Sequence, residues 1–195
     1  MFGYSLTYML MERASEAING KDKTPEEARE IGQRLLQNAV KLSFDKNRLH
    51  YKSIERVKVI LDGKHESEIS MILCCSKGVF VIDNHHWDGI IKGRLDKDEW
   101  LVVKDGFRQT TIYHFLNPIK ESEFHIKALD SFVGEEVPLF PLITFSSNNI
   151  GRSSKENIIN IIGFPRFMNT VDTGYNFSDE EIDKIYENIL SIFRK

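Results

Sequence analysis

Cysteine is nearly absent: the chain of 195 residues has two, and they are neighbours, Cys74-Cys75. Consecutive strand residues point to opposite faces, so this pair is poorly placed to bridge or to share a metal. A disulfide scaffold is thereby excluded, and no Cys/His spacing suggests zinc. Two small core hydrophobes in a reducing, cytoplasmic setting is the natural expectation. Long apolar runs are also missing. Met1 to Met11 is apolar but is broken by Ser5 and Thr7 and has no basic leader, so neither a membrane span nor a signal peptide is expected. No repeat or low-complexity tract occurs. Charge of one sign is scarce too: 26 Lys and Arg against 29 Asp and Glu leave a net −3, which argues against global attraction to DNA. What remains, 41% hydrophobic and 28% charged, is the composition of a globular domain able to bury one core.

The periodicity divides the chain into a short extension, residues 1–24, and a single domain, residues 25–195. The extension includes a linker, Asn19 to Thr24, and its apolar start suits a short helix packed on the domain or on a second copy. Thr24-Pro25-Glu26-Glu27 reads as N-cap, first-turn Pro and capping-box Glu, and Ile31, Leu35, Ala39 and Leu42 then line one helical face. Tyr51 to Leu61 has strand character. Two apolar strands then meet at a Ser76-Lys77 turn, and Lys104-Asp105-Gly106 marks a second hairpin between Trp100-Val103 and Phe107-Phe115. Asn117-Pro118 opens a helix through Leu129, Pro138 to Phe145 is a buried strand, and 146–155 is a flexible stretch rich in turn formers. Ser178 to Glu181 is another capping box, starting a helix with Ile182, Ile185, Ile189 and Phe193 as its apolar stripe. Patterning alone supports α/β or α+β.

The second strand of the first hairpin runs into the polar cluster Asp83-Asn84-His85-His86, a place suited to metal or proton chemistry. The run Glu68-Ile69, then Lys77-Gly78-Val79-Phe80-Val81-Ile82, with Gly89, Gly93, Trp100, Asn117-Pro118-Ile119, Val137-Pro138 and Ile143-Thr144-Phe145, resembles the NERD (nuclease-related) domain. That domain is a relative of the PD-(D/E)XK endonucleases. The resemblance covers roughly residues 26–150. It implies a nuclease-like α/β (α+β) core, a central mixed sheet with an antiparallel meander flanked by helices.

The residues that would do the work depart from the family pattern. The family's hairpin Asp falls on Ser70, its Glu on Asp83, its Lys on His85 and the following Asn on His86. Its Gly-Glu becomes Gly32-Gln33, and the Gln after Asn-Pro becomes Glu121. Such sites hold Mg²⁺ between two carboxylates, and the ion polarises the phosphate and acidifies the attacking water. Ser70 brings no charge, and Asp83 is one methylene shorter than Glu. With a two-residue turn, Ser70 lies opposite Asp83 and Glu68 opposite His85, and alternation puts all four on one face. Glu68, Asp83 and His85 are therefore a candidate three-ligand metal cluster, with Glu121 arriving from the next helix. Mn²⁺ or Zn²⁺ suits an imidazole better than Mg²⁺, and His85 is alternatively a general base. His125, at i+4 from Glu121, shares its helical face.

Lys41 to Lys64 holds seven basic residues against three acids. Arg48, Lys52, Arg56 and Lys58 are its candidates for phosphate contact. Two functions follow. One is a nuclease-fold protein with an eroded metal site, without nuclease activity, retained to bind DNA or a protein partner. The other is a divergent Mg²⁺- or Mn²⁺-dependent DNA endonuclease using Asp83, His85, Glu68 and Glu121. The missing carboxylate favours the first. A protein-interaction module or homodimer that never touches DNA is a third possibility.

Overall fold

A computed structural model of the chain describes residues 24–61, 65–87, 89–105, 110–133, 137–146 and 157–194. The expected extension, apart from Thr24, and nearly all of the stretch 146–155 lie outside the described residues. Helix α1 (Pro25–Phe44) starts as expected. The Glu27 N–H donates to Thr24 Oγ1 at 3.2 Å, and the Thr24 N–H donates to Glu27 Oε2 at 2.8 Å. A 3-10 turn (Asp45–Asn47) leads into β1 (Tyr51–Leu61), β2 (His65–Cys75) and β3 (Gly78–His85). Then come β4 (Ile90–Lys92), β5 (Glu99–Asp105), β6 (Thr110–Leu116), α2 (Pro118–Val133) and β7 (Leu139–Phe145). Strand β8 (Ile158–Asn160), a 3-10 turn (Ile161–Gly163), α3 (Phe164–Thr170) and α4 (Asp179–Phe193) complete the chain.

The fold is mixed α+β, with a mixed five-stranded sheet in the order β1-β2-β3-β7-β8 and a three-stranded sheet β4-β5-β6. Strands β4 and β8 and helix α3 have no counterpart in the sequence pattern. Three-residue strands and a seven-residue helix are too short to show a period. The segments interleave into two compact units. Among the described residues, one gathers those of 24–43, 84–117 and 144–169, and the other those of 44–83, 118–143 and 170–194. Strands β3 and β7 each contribute to both.

In the first unit the three-stranded sheet buries Ile91, Trp100 and Val102. The Trp100 indole N–H donates to the Arg94 carbonyl at 3.0 Å, and its ring stacks on Phe145 at 6.4 Å. Gly93 lies directly against that ring: a Cβ there would overlap the Trp100 indole. Gly93→Ala is therefore expected to lower stability by about 1–3 kcal/mol through overpacking. A urea melt unchanged from wild type would show that the indole shifts freely.

In the second unit α2 and α4 cover one face of β1–β3. The core there joins Val57, Val59, Ile69, Ile72, Cys74, Val79 and Val81 to Leu129, Ile182, Ile185 and Ile189. Ser178 caps α4 with the anticipated box to Glu181. The β2–β3 ladder runs from Met71↔Ile82 to Cys75↔Gly78, the register of a two-residue Ser76-Lys77 turn. Gly78 follows that turn at φ 121°, and a Cβ there would meet Phe140 Cε2 at 2.6 Å, so no side chain is admitted.

The β1–β2 ladder has one irregularity that decides which residues face the helices. Register is constant from Tyr51↔Cys75 to Leu61↔His65, yet no pairing is made at Arg56, whose φ of 53° is uncommon for a residue with a side chain. Across this break both strands change phase. On β1 the helix-facing residues are Ile54, then Val57 and Val59; on β2 they are Cys74 and Ile72, then Ile69. Strict alternation from Ile72 would have brought Ser70 and Glu68 to this face. The break brings Ile69 and Ser67 instead.

Candidate functional site

Strand β3 presents Val79, Val81 and then Asp83 to the helical side. Asp83 is 3% exposed and His125, opposite it on α2, is 0% exposed. Ser122 and His125, three residues apart on α2, are both buried, so the helix turns a polar edge toward the strand end. His125 Nδ1 lies 2.9 Å from Asp83 Oδ1, and His125 Nε2 lies 2.8 Å from Ser67 Oγ. The Ser67 hydroxyl donates to Glu121 Oε1 at 3.0 Å. Asp83, His125, Ser67 and Glu121 thus form one hydrogen-bonded chain, buried at Asp83 and half-buried at Glu121. Burial disfavours charge on the His125 ring. The hydrogen bond and charge of Asp83, joined by the charge of Glu121, outweigh it and hold the pKa above the ordinary imidazole value.

Of the residues singled out in the sequence, this chain brings Asp83 and Glu121 together. Glu68, expected on the same face, points the other way because of the phase change at Arg56. Its Oε1 is 3.4 Å from Arg56 Nε. His85 belongs to the other unit, where its ring packs 5.3 Å from Phe145 and 6.3 Å from Phe115. There His86 Nδ1 lies 3.2 Å from Ser146 Oγ, and Thr144 donates to Asn84 Oδ1 at 2.8 Å. Gly32 of α1 lies close against this group: a Cβ there would stand 3.0 Å from Asn84 Nδ2 and 3.1 Å from Ser146 Oγ. Ser67 has no signal in the sequence, since its position follows from the broken ladder. His125 is marked there only by its spacing from Glu121.

A divalent cation of the kind the resemblance implies needs several oxygen ligands converging on one point. Among the described residues no three His, Cys, Asp or Glu side chains gather closely enough for this. Asp83 Oδ1 is engaged by His125, leaving Oδ2, which has no hydrogen-bond partner among the described residues. Glu68 is with Arg56, and Ser70 offers a neutral hydroxyl. The residues present do not fit a two-carboxylate metal site. Both cysteines are free and buried, and burial pushes the Cys74 thiol up to about 12.

The basic candidates are spread along β1 and its approach. Arg48 ends the 3-10 turn at φ 54° and is exposed. Lys52 lies 3.5 Å from Asp183 and 5.8 Å above the Tyr186 ring. Arg56 pairs with Glu68, and Lys58 with Glu66.

The profile of the nuclease-related domain matches residues 28–146. An uncharacterised protein of Bacillus anthracis is 23% identical over 146 residues, which are 72% of this chain and 66% of that protein. The chain therefore spans just under two thirds of that relative's length. No solved structure matches.

Proposed function

Since the chain belongs to the nuclease-related domain family, we propose that it is a nuclease-fold protein that binds nucleic acid without hydrolysing it. The bond between His125 and Asp83 supports this best. The acid that falls on the family's Glu position is tied, at 2.9 Å and out of solvent, to a side chain able to carry positive charge. The other carboxylate of the pattern is Ser70. Phosphodiester hydrolysis on this fold depends on charge at those two places, and one is missing while the other is engaged.

Binding is supported by the family and by the basic residues of β1, an edge strand of its sheet. Their ion pairs are exposed, with side-chain accessibility of 41% for Lys52, 44% for Arg56 and 68% for Lys58. Surface pairs of this kind contribute only about 0–1 kcal/mol, so a phosphate can displace the carboxylate. The reduced, buried cysteines suit a cytoplasmic protein, and no helix among the described residues is long and apolar enough to cross a membrane.

The test is incubation of supercoiled plasmid and single-stranded DNA with Mg²⁺ and then Mn²⁺, alongside Asp83→Ala. Fluorescence anisotropy with the same DNA at low salt runs in parallel. We expect no cutting, and binding that weakens with salt. Arg48→Ala, Lys52→Ala, Arg56→Ala and Lys58→Ala together should flatten the log–log salt slope by about 0.9 for each phosphate that is no longer neutralised. Metal-dependent cutting abolished by Asp83→Ala would establish the endonuclease. Absence of binding even at low salt would leave a module for a protein partner or a second copy.

A further inference from the structure

We infer that β6 is a homodimer edge: it pairs antiparallel with β6 of a second copy of the chain, about a two-fold axis through Tyr113. An exposed sheet edge is a row of unpaired donors and acceptors, and proteins commonly guard it with charge, shortness or a kink. Among the described residues the two sheets end in β1, β8, β4 and β6. Strand β1 carries Lys52, Glu55, Arg56 and Lys58 and is broken at the positive φ of Arg56. Strands β4 and β8 are three residues long, and β4 ends in Lys92. Of the four, only β6 has no such guard: its seven residues, Thr110–Leu116, include no Lys, Arg, Asp, Glu, Pro or Gly. It is also open to solvent. Ile112 is 54% exposed, and Tyr113 and Leu116 are about half exposed.

The β5–β6 register decides which backbone groups β6 offers. Glu99 faces Leu116, so Asp98 faces Asn117, and the Asn117 N–H donates to the Asp98 carbonyl at 2.8 Å. Hydrogen-bonded pairs alternate along an antiparallel ladder, so Phe115, Tyr113 and Thr111 bond to β5. Ile112, His114 and Leu116 then direct N–H and C=O toward the open edge. A two-fold axis at Tyr113, perpendicular to the sheet, sets Ile112 opposite His114 of the other copy, and His114 opposite its Ile112. Outward donors meet outward acceptors, and each of these pairs exchanges both bonds. The whole strand overlaps itself in this register and in no other.

The side chains match as well. On one face Ile91, Val102 and Tyr113 form a row across the sheet, buried at Ile91 and Val102 and open at Tyr113. The second Tyr113 continues that row, in the closer, non-hydrogen-bonded kind of pair, where two aromatic side chains attract. On the other face Ile90, Val103 and Ile112 make an apolar row that reaches the edge. No like charges oppose each other along β6, so the strand is complementary to itself. Two-fold pairing is closed and leaves no edge of β6 for a third chain.

Sedimentation equilibrium of the full chain over a wide concentration range is the test. Wild type should move from the mass of one chain toward twice that mass as concentration rises. Ile112→Pro deletes an outward N–H and keeps the bonds to β5, so its circular dichroism should match wild type. Its association should be weaker by about tenfold or more, since each copy loses a bond to the other. Tyr113→Cys reports the register: opposed Cα atoms about 4.5 Å apart suit a disulfide, so mild oxidation should give a covalent dimer. Thr111→Cys, opposite Phe115 and far from its own counterpart, should not cross-link, and the native cysteines are buried. A wild type of single-chain mass throughout overturns the pairing and leaves the edge to a strand of another protein. A dimer that Ile112→Pro leaves intact, or one that cross-links through Thr111→Cys and not Tyr113→Cys, overturns it equally by placing the interface elsewhere. Should Ile112→Pro not fold, the two cysteine variants decide. None of these outcomes depends on nucleic acid, so the function proposed above stands or falls separately.

Discussion

Asp83→Ala is expected to destabilise the protein by about 3–5 kcal/mol near pH 6, because it strands a buried positive ring without its partner. The loss should shrink toward pH 8, since an abandoned imidazole can release its proton, whereas Ala creates no new charge. The wild type has the complementary dependence. His125 has a folded pKa raised above the ordinary value, so its contribution is fully present below about pH 6.5, the usual unfolded pKa, and is lost as pH rises through the raised folded pKa. The two unfolding-free-energy profiles should therefore converge with increasing pH. Urea melts at half-unit intervals from pH 5.5 to 9 measure this. Parallel profiles would mean that the ring is neutral throughout, and a loss below about 1 kcal/mol at pH 6 would mean that the pair is not compensating a charge.

Much of the fold can be read from residue order because its signals are local. Thr24 with Glu27 and Ser178 with Glu181 mark helix starts through bonds spanning three residues. The Ser76-Lys77 turn fixes the β2–β3 register, since a two-residue connection leaves one pairing available. The segments Met71–Cys75 and Val79–Ile82 on either side of that turn are apolar without alternation because both faces of the sheet are covered there. Gly93 and Trp100 fall on family positions for a reason that the structure supplies: the ring occupies the space a Cβ would need.

The candidate site is legible in the sequence only in part, and the cause is a single residue. Arg56 carries no pattern that announces a positive φ in mid-strand, so strict alternation is the natural expectation across it. That places Glu68 beside Asp83 and passes over Ser67. His125 is visible as one member of an i, i+4 pair, but sequence spacing cannot say that a strand end with a buried acid lies against that helical face. A pairing between residues 42 positions apart has no local signature.

The phase change at Arg56 yields the second large effect, in Ile69. This residue is 0% exposed and belongs to the cluster between the sheet and helices α2 and α4. Ile69→Ala is expected to cost about 2–5 kcal/mol, the forfeited transfer free energy plus the cavity left behind. Its neighbour Glu68 is on the other face, in a partly exposed pair with Arg56, and Glu68→Ala should cost less than about 1 kcal/mol. The contrast is what tests the strand. With unbroken alternation Glu68 would take the helix-facing position and stand beside Asp83, and its removal would relieve a buried like-charge repulsion and raise stability. Chemical denaturation of the two variants therefore reports the local backbone. A large loss in Ile69→Ala with a small loss in Glu68→Ala fits the broken ladder. Stabilisation by Glu68→Ala would show that β2 keeps a single phase, and would return Glu68 to the side of the sheet that holds Asp83 and His125.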